Sequence, residues 1–138
     1  MTLTAAEIHG RCYCGAVHYA VNGAFAYALN CHCSNCRRVT GAAFKPFAGV
    51  ARECLAVTQG EDALLVMGTA ANNNTLCARC GSLLFSVVQD GTRVHVAMGT
   101  LEGDPGIRPR AHIFVASKAA WFTITDDLPQ YVEFPTAV

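Results

Sequence analysis

Cys31-His32-Cys33-Ser34-Asn35-Cys36 lies between two tighter pairs, Cys12-Tyr13-Cys14 and Cys77-Ala78-Arg79-Cys80, and these clusters hold seven of the eight cysteines. A tetrahedral zinc ion takes four sulfur donors at about 2.3 Å, and C-x-C or C-x-x-C turns each present two of them from one short loop. Two pairs and a triplet therefore point to two metals. Cys12, Cys14, Cys77 and Cys80 can close one four-thiolate site, while Cys31, Cys33 and Cys36 leave a second site one ligand short. A closed site is structural, and an open one can do chemistry. The expected cofactor is Zn²⁺, one ion structural and the other labile and catalytic.

Around these clusters the pattern is β-rich. Val17-His-Tyr-Ala-Val21 alternates with a period of two and runs into Asn22-Gly23, a hairpin signal because both residues tolerate positive φ. Leu83–Val88, then Gln89-Asp90-Gly91-Thr92, then Arg93–Met98 reads as a second hairpin. Shorter strands are expected over Ala42–Phe47, Cys54–Thr58, Ala63–Met67, His112–Val115 and Phe122–Ile124. Asn72-Asn73-Asn74 reads as a turn, and helical periodicity is weak throughout. The expected fold is mainly β: residues 1–138 form a single zinc-binding domain of several coiled antiparallel sheets, with the cysteine loops at strand ends where metal staples the sheets together. Gly15 and Gly81 each follow the last cysteine of a pair, where a zinc knuckle turns its backbone toward sulfur.

Composition narrows the partners. Ten basic and ten acidic side chains cancel, and no basic run exceeds Arg37-Arg38, so the electrostatic footprint of a nucleic-acid binder is missing. The amino end lacks a charged start followed by an apolar run, and no apolar stretch approaches about 18 residues. A soluble, cytoplasmic protein without a membrane partner is expected. Eight cysteines also suit a secreted disulfide scaffold, but C-x-C and C-x-x-C clusters grip metal better than they pair across a fold. Cys54, alone before Leu55-Ala-Val, reads as an inert core side chain.

Three thiolates on Zn²⁺ carry a net charge of about −1, which makes the site a weak Lewis acid toward water. Hydrolysis is disfavoured, the more so because no Glu or Asp lies within the triplet to act as base. A thiol taken as fourth ligand would lose its proton yet stay nucleophilic, which suits attack on a small electrophile such as an aldehyde. Arg37 and Arg38 are candidate substrate-binding groups that would hold carboxylates of an anionic thiol. Alternation along the strand aims His32 away from the metal, toward the surface or behind the ligands. His9, His18, His95 and His112 are scattered among strand patterns and read as packing residues.

Gly10-Arg-Cys-Tyr-Cys-Gly-Ala-Val-His-Tyr19, the CHCSNCRRVTGAAF run ending at Phe44, the LCARCGSLLF run ending at Phe85 and HIFVASKAAWFTITDDLPQY ending at Tyr131 together resemble the glutathione-dependent formaldehyde-activating (GFA) family, which includes a centromere protein V branch. The resemblance spans nearly the whole chain in order. It implies a β-tent-like fold, a structural zinc on Cys12, Cys14, Cys77 and Cys80, and a second zinc on Cys31, Cys33 and Cys36. It also implies a carbon–sulfur lyase activity joining a small thiol, glutathione in the family's named reaction, to formaldehyde. The rival expectation is a non-catalytic zinc-stapled binding module or thiol carrier.

Overall fold

The structure, a computed structural model, describes residues 7–135. In chain order its strands are β1 (Ile8–Arg11), β2 (His18–Val21), β3 (Tyr27–Cys31), β4 (Lys45–Ala51), β5 (Leu55–Gln59), β6 (Leu64–Gly68), β7 (Asn73–Cys77), β8 (Leu83–Val88), β9 (Arg93–Ala97), β10 (Leu101–Glu102) and β11 (His112–Ile113). One short helix, α1 (Ser34–Thr40), follows β3. The strands form a four-stranded sheet, β10-β1-β2-β5, and a seven-stranded sheet, β11-β3-β4-β9-β8-β7-β6. All named pairs are antiparallel except β11 with β3. The mainly β architecture expected from the alternating pattern is what the chain adopts.

Strand alternation divides the large sheet into two faces with different work. Ala28, Ala48, Val50, Phe85, Val87, Val94 and Val96 turn to one face and pack in the main core with Val17 and with Tyr19, Val21 and Leu55 of the small sheet. The opposite face carries Leu29, Cys31 and Phe47, which pack with Ala111 and Ile113 in a second cluster. Cross-strand register places Cys31 opposite both Lys45 and Ile113, so one metal-motif residue, the only charged residue of β4 and a core side chain share this face.

The Asp-Gly hairpin forms as expected: β8 pairs with β9, and Gln89, Asp90 and Gly91 all take positive φ between them. Asn22-Gly23 does not close a hairpin. Strand β2 pairs with β1 and β5, the Asn22 N–H donates to the Cys54 carbonyl, and the chain then crosses to the other sheet. Gly23 takes positive φ but Asn22 does not, and the strands on either side belong to different sheets. Three further expectations change. Asn73 and Asn74 open β7 instead of turning, β4 starts at Lys45, and Phe122–Ile124 forms no strand. The Phe122 segment is instead tied down by the Lys118 ammonium, which donates to the Ala119 and Phe122 carbonyls.

Candidate metal centres

Cys12 and Cys14 stand in the turn between β1 and β2, and Cys77 and Cys80 at the turn between β7 and β8. The fold gathers their four sulfurs within 4.8 Å of one another. Two of the contacts are Cys12 to Cys14 at 3.6 Å and Cys14 to Cys77 at 3.8 Å. Four sulfurs at zinc-bond length in a tetrahedron lie about 3.8 Å apart, so the donor set fits zinc. Gly15 and Gly81 both have φ +81, and their N–H groups donate to the Cys12 and Cys77 carbonyls. These are the tight turns expected after each pair, in backbone space that glycine enters without steric penalty. Sulfur is also a hydrogen-bond acceptor here: the Val17 N–H donates to Cys12 Sγ at 3.3 Å. The Ser82 hydroxyl, 3.2 Å from Cys80 Sγ, leads the causes that lower the Cys80 pKa to about 5.

Cys31, Cys33 and Cys36 form the second group, again with sulfurs within 4.8 Å of one another. Among the described residues no fourth His, Cys, Asp or Glu joins them. Cys31 ends β3, and Cys33 is the N-cap of α1, its sulfur accepting from the Cys36 N–H at 3.3 Å. The strand and the helix's first turn thus hold the three thiols on one side. Their proximity splits their acidities: the Cys36 contact brings Cys31 down to about 6, and the Cys31 contact, with burial, pushes Cys36 far up. A soft cation resolves such crowding by taking all three as thiolates.

His32 lies between two of these cysteines but is not gathered with them, and it is fully buried, not at the surface. Its Nε2 lies 2.8 Å from His112 Nδ1, and His112 Nε2 lies 3.0 and 3.1 Å from the two Asp126 oxygens. The Asp126 carboxylate accepts from His112 Nε2–H, and the other nitrogen of that ring, Nδ1, is hydrogen-bonded to His32 Nε2. His32 Nδ1 is buried with no hydrogen-bond partner among the described residues. Burial, with the His112, Lys118 and Arg37 charges, drives the His32 pKa down to about 4.

Lys45 was missed at the sequence level, although a lone lysine in an apolar strand was the available signal. It is 4% exposed, and Nζ donates to Ser86 Oγ at 2.8 Å, which in turn donates to Asn74 Oδ1 at 2.6 Å. Burial pushes its pKa down, and the Cys36, Cys31 and Cys33 thiols oppose that shift. Arg37 donates through Nε to the Ser117 carbonyl at 3.2 Å and is partly buried, whereas Arg38 is exposed. Only one of the two arginines is thus held by the fold. Cys54 packs against the main core outside both sulfur groups, as expected. His9 does not pack; it is exposed beside Glu7 at 3.7 Å.

His95 does pack, stacked on Phe47 at 4.1 Å with Tyr27 OH 2.7 Å from its Nε2. Burial first, then Lys45 and Arg93, lowers its pKa to about 3. Because the folded value lies below the unfolded one, the contribution of His95 to stability is present above about pH 6.5 and lost as pH falls toward 3. Thermal melts between pH 7 and 5 should show a shallower loss of stability in His95→Phe than in the wild type, by up to about 1.4 kcal/mol per pH unit. Parallel slopes would mean that the ring titrates in the folded protein as it does in the unfolded chain.

Among the described residues no helix is long and apolar enough to cross a membrane. No curated protein matches the chain. It is similar to a Rhodobacter sphaeroides protein of known crystal structure, at 32% identity and a TM-score of 0.58, covering 70% of this chain and 89% of that one. The two sulfur groups, in that order along two sheets, coincide with a match over residues 7–117 to the family model described as glutathione-dependent formaldehyde-activating enzyme, and the chain belongs to that family.

Proposed function

We propose that the protein is a zinc-dependent carbon–sulfur lyase that joins a small thiol to an aldehyde such as formaldehyde, or separates them. The observation that carries this reading is the inequality of the two sulfur groups, one with four donors and one with three. Cys12, Cys14, Cys77 and Cys80 hold a structural ion, and Cys31, Cys33 and Cys36 hold the ion at which reaction occurs. Zinc held by the triplet would supply a position where a thiol binds through sulfur and gives up its proton. In the forward direction a carbon–sulfur bond forms, the carbonyl π bond opens, and the thiol proton ends on the former aldehyde oxygen. The three cysteines would orient the sulfur, and Arg37 and Arg38, in the last turn of α1, would attract a thiol that carries carboxylates.

Thiol and formaldehyde combine without help, so the test is a rate comparison. With two metals per chain, adduct formation should exceed the uncatalysed rate at least about tenfold, equivalent to 1.4 kcal/mol off the barrier, and Cys33→Ser should remove the excess. Equal rates with and without protein across a panel of cellular thiols would favour a zinc-stapled binding module or thiol carrier.

A further inference from the structure

We propose that Lys45 is the counter-cation of the ligand that completes the Cys31–Cys33–Cys36 group, and that its charge makes the site prefer an anionic sulfur over a neutral nitrogen ligand. The inference rests on the proposed function and names a specificity residue for it.

Lys45 sits directly across from Cys31 in the β3–β4 register, on the sheet face that carries the second apolar cluster. A buried ammonium needs an anion nearby, because neither water nor apolar neighbours compensate its lost hydration. Among the described residues Lys45 forms no ion pair with Asp or Glu. Its hydrogen bond to Ser86 is to a neutral hydroxyl, which Asn74 fixes as an acceptor toward the lysine, and the Phe47 ring lies 5.8 Å from Nζ. The triplet, whose Cys31 faces Lys45 across the β3–β4 register, supplies the negative charges that act on it.

Charge counting shows what this achieves. Zinc with three thiolates carries about −1, and a fourth thiolate brings the group to about −2, a poor state for a buried site. The ammonium of Lys45 returns the sum to about −1. A neutral ligand gains nothing comparable from the same cation, so Lys45 discriminates by charge. Arg37 is tied to the Ser117 carbonyl and Arg38 is exposed, so neither replaces a cation held within the sheet.

The test uses cobalt-loaded protein at a fixed pH and reads the metal absorption while 2-mercaptoethanol or imidazole is added. The thiol carries no carboxylate, so its sulfur is its one charge when bound. Lys45→Met should weaken mercaptoethanol about tenfold and leave imidazole within about threefold, and Lys45→Arg should restore most of the loss. Should Lys45→Met fail to take up cobalt, Lys45→Gln is read with the same expectation. Equal weakening of both ligands, or of neither, overturns the inference and leaves Lys45 as a tether for Ser86. A wild type whose cobalt-loaded triplet shows no thiol response overturns the proposed function, and the inference with it.

Discussion

Cys77→Ser is expected to unfold the protein at ordinary temperature. Cys77 and Cys14 lie 63 residues apart in sequence, and their contact ties the turn that opens the small sheet to the turn between β7 and β8. Closing a loop of that length is worth about 4 kcal/mol by the chain-entropy estimate, before the metal–sulfur bonds are counted. A domain of this size has on the order of 5–15 kcal/mol to lose, so the staple is a large share of its stability. Cys33→Ser should behave differently. Its group spans only Cys31 to Cys36, and serine still accepts the Cys36 N–H as the N-cap of α1, so the protein itself should lose about 1 kcal/mol or less. Thermal melts with metal analysis separate the two: an unfolded or aggregated Cys77→Ser, and a folded Cys33→Ser retaining one zinc. If both variants melt together, the division into a structural and a functional group is wrong.

The cysteine groups were legible because metal-binding motifs are local: two donors per short turn leave few ways to build a four-donor cage. The sheets were legible wherever burial on one face forced alternation, as in Arg93–Ala97. Helix α1 was not. It has seven residues and no buried side chain, so it has no apolar period to detect, and it exists because Cys33 caps one end and Gly41 closes the other in the left-handed region. Asn73 and Asn74 misled for a related reason. Asparagine favours turns when its side chain must find local partners, but here Asn73 donates to the Thr69 carbonyl and Asn74 accepts from Ser86, which frees both backbones for β7.

The remaining parts of the site lie beyond local reading. Alternation turned His32 away from the metal, and nothing nearby in sequence decided between the surface and a place behind the ligands. Its partner is 80 residues away, and the carboxylate that fixes the partner's tautomer is another 14 residues on. Lys45 likewise acquires a meaning only when the β3–β4 register sets it against Cys31.

His112→Ala should cost about 3 kcal/mol and, for a chain of this length, lower the melting temperature by roughly 10 °C. His112 is 1% exposed, so truncation opens a cavity. It also strips His32 Nε2 of its hydrogen-bond partner in a ring whose Nδ1 already lacks one among the described residues. The backbone of His112 bonds to Pro129 and Tyr131, which brings the segment carrying Asp126 against β11, and β11 lies in parallel beside the end of β3. The consequence reaches the metal group, because His32 sits between Cys31 and Cys33 and its N–H donates to the Ile113 carbonyl. His112→Ala should therefore loosen the triplet and reduce cobalt uptake from two ions toward one, with the four-sulfur group still loaded. Asp126→Asn keeps an oxygen acceptor for His112 Nε2–H and removes only the charge, so it should cost about 1 kcal/mol and retain both ions. Equal losses in the two variants would mean that the ionised carboxylate, not the ring-to-ring contact, holds the loop.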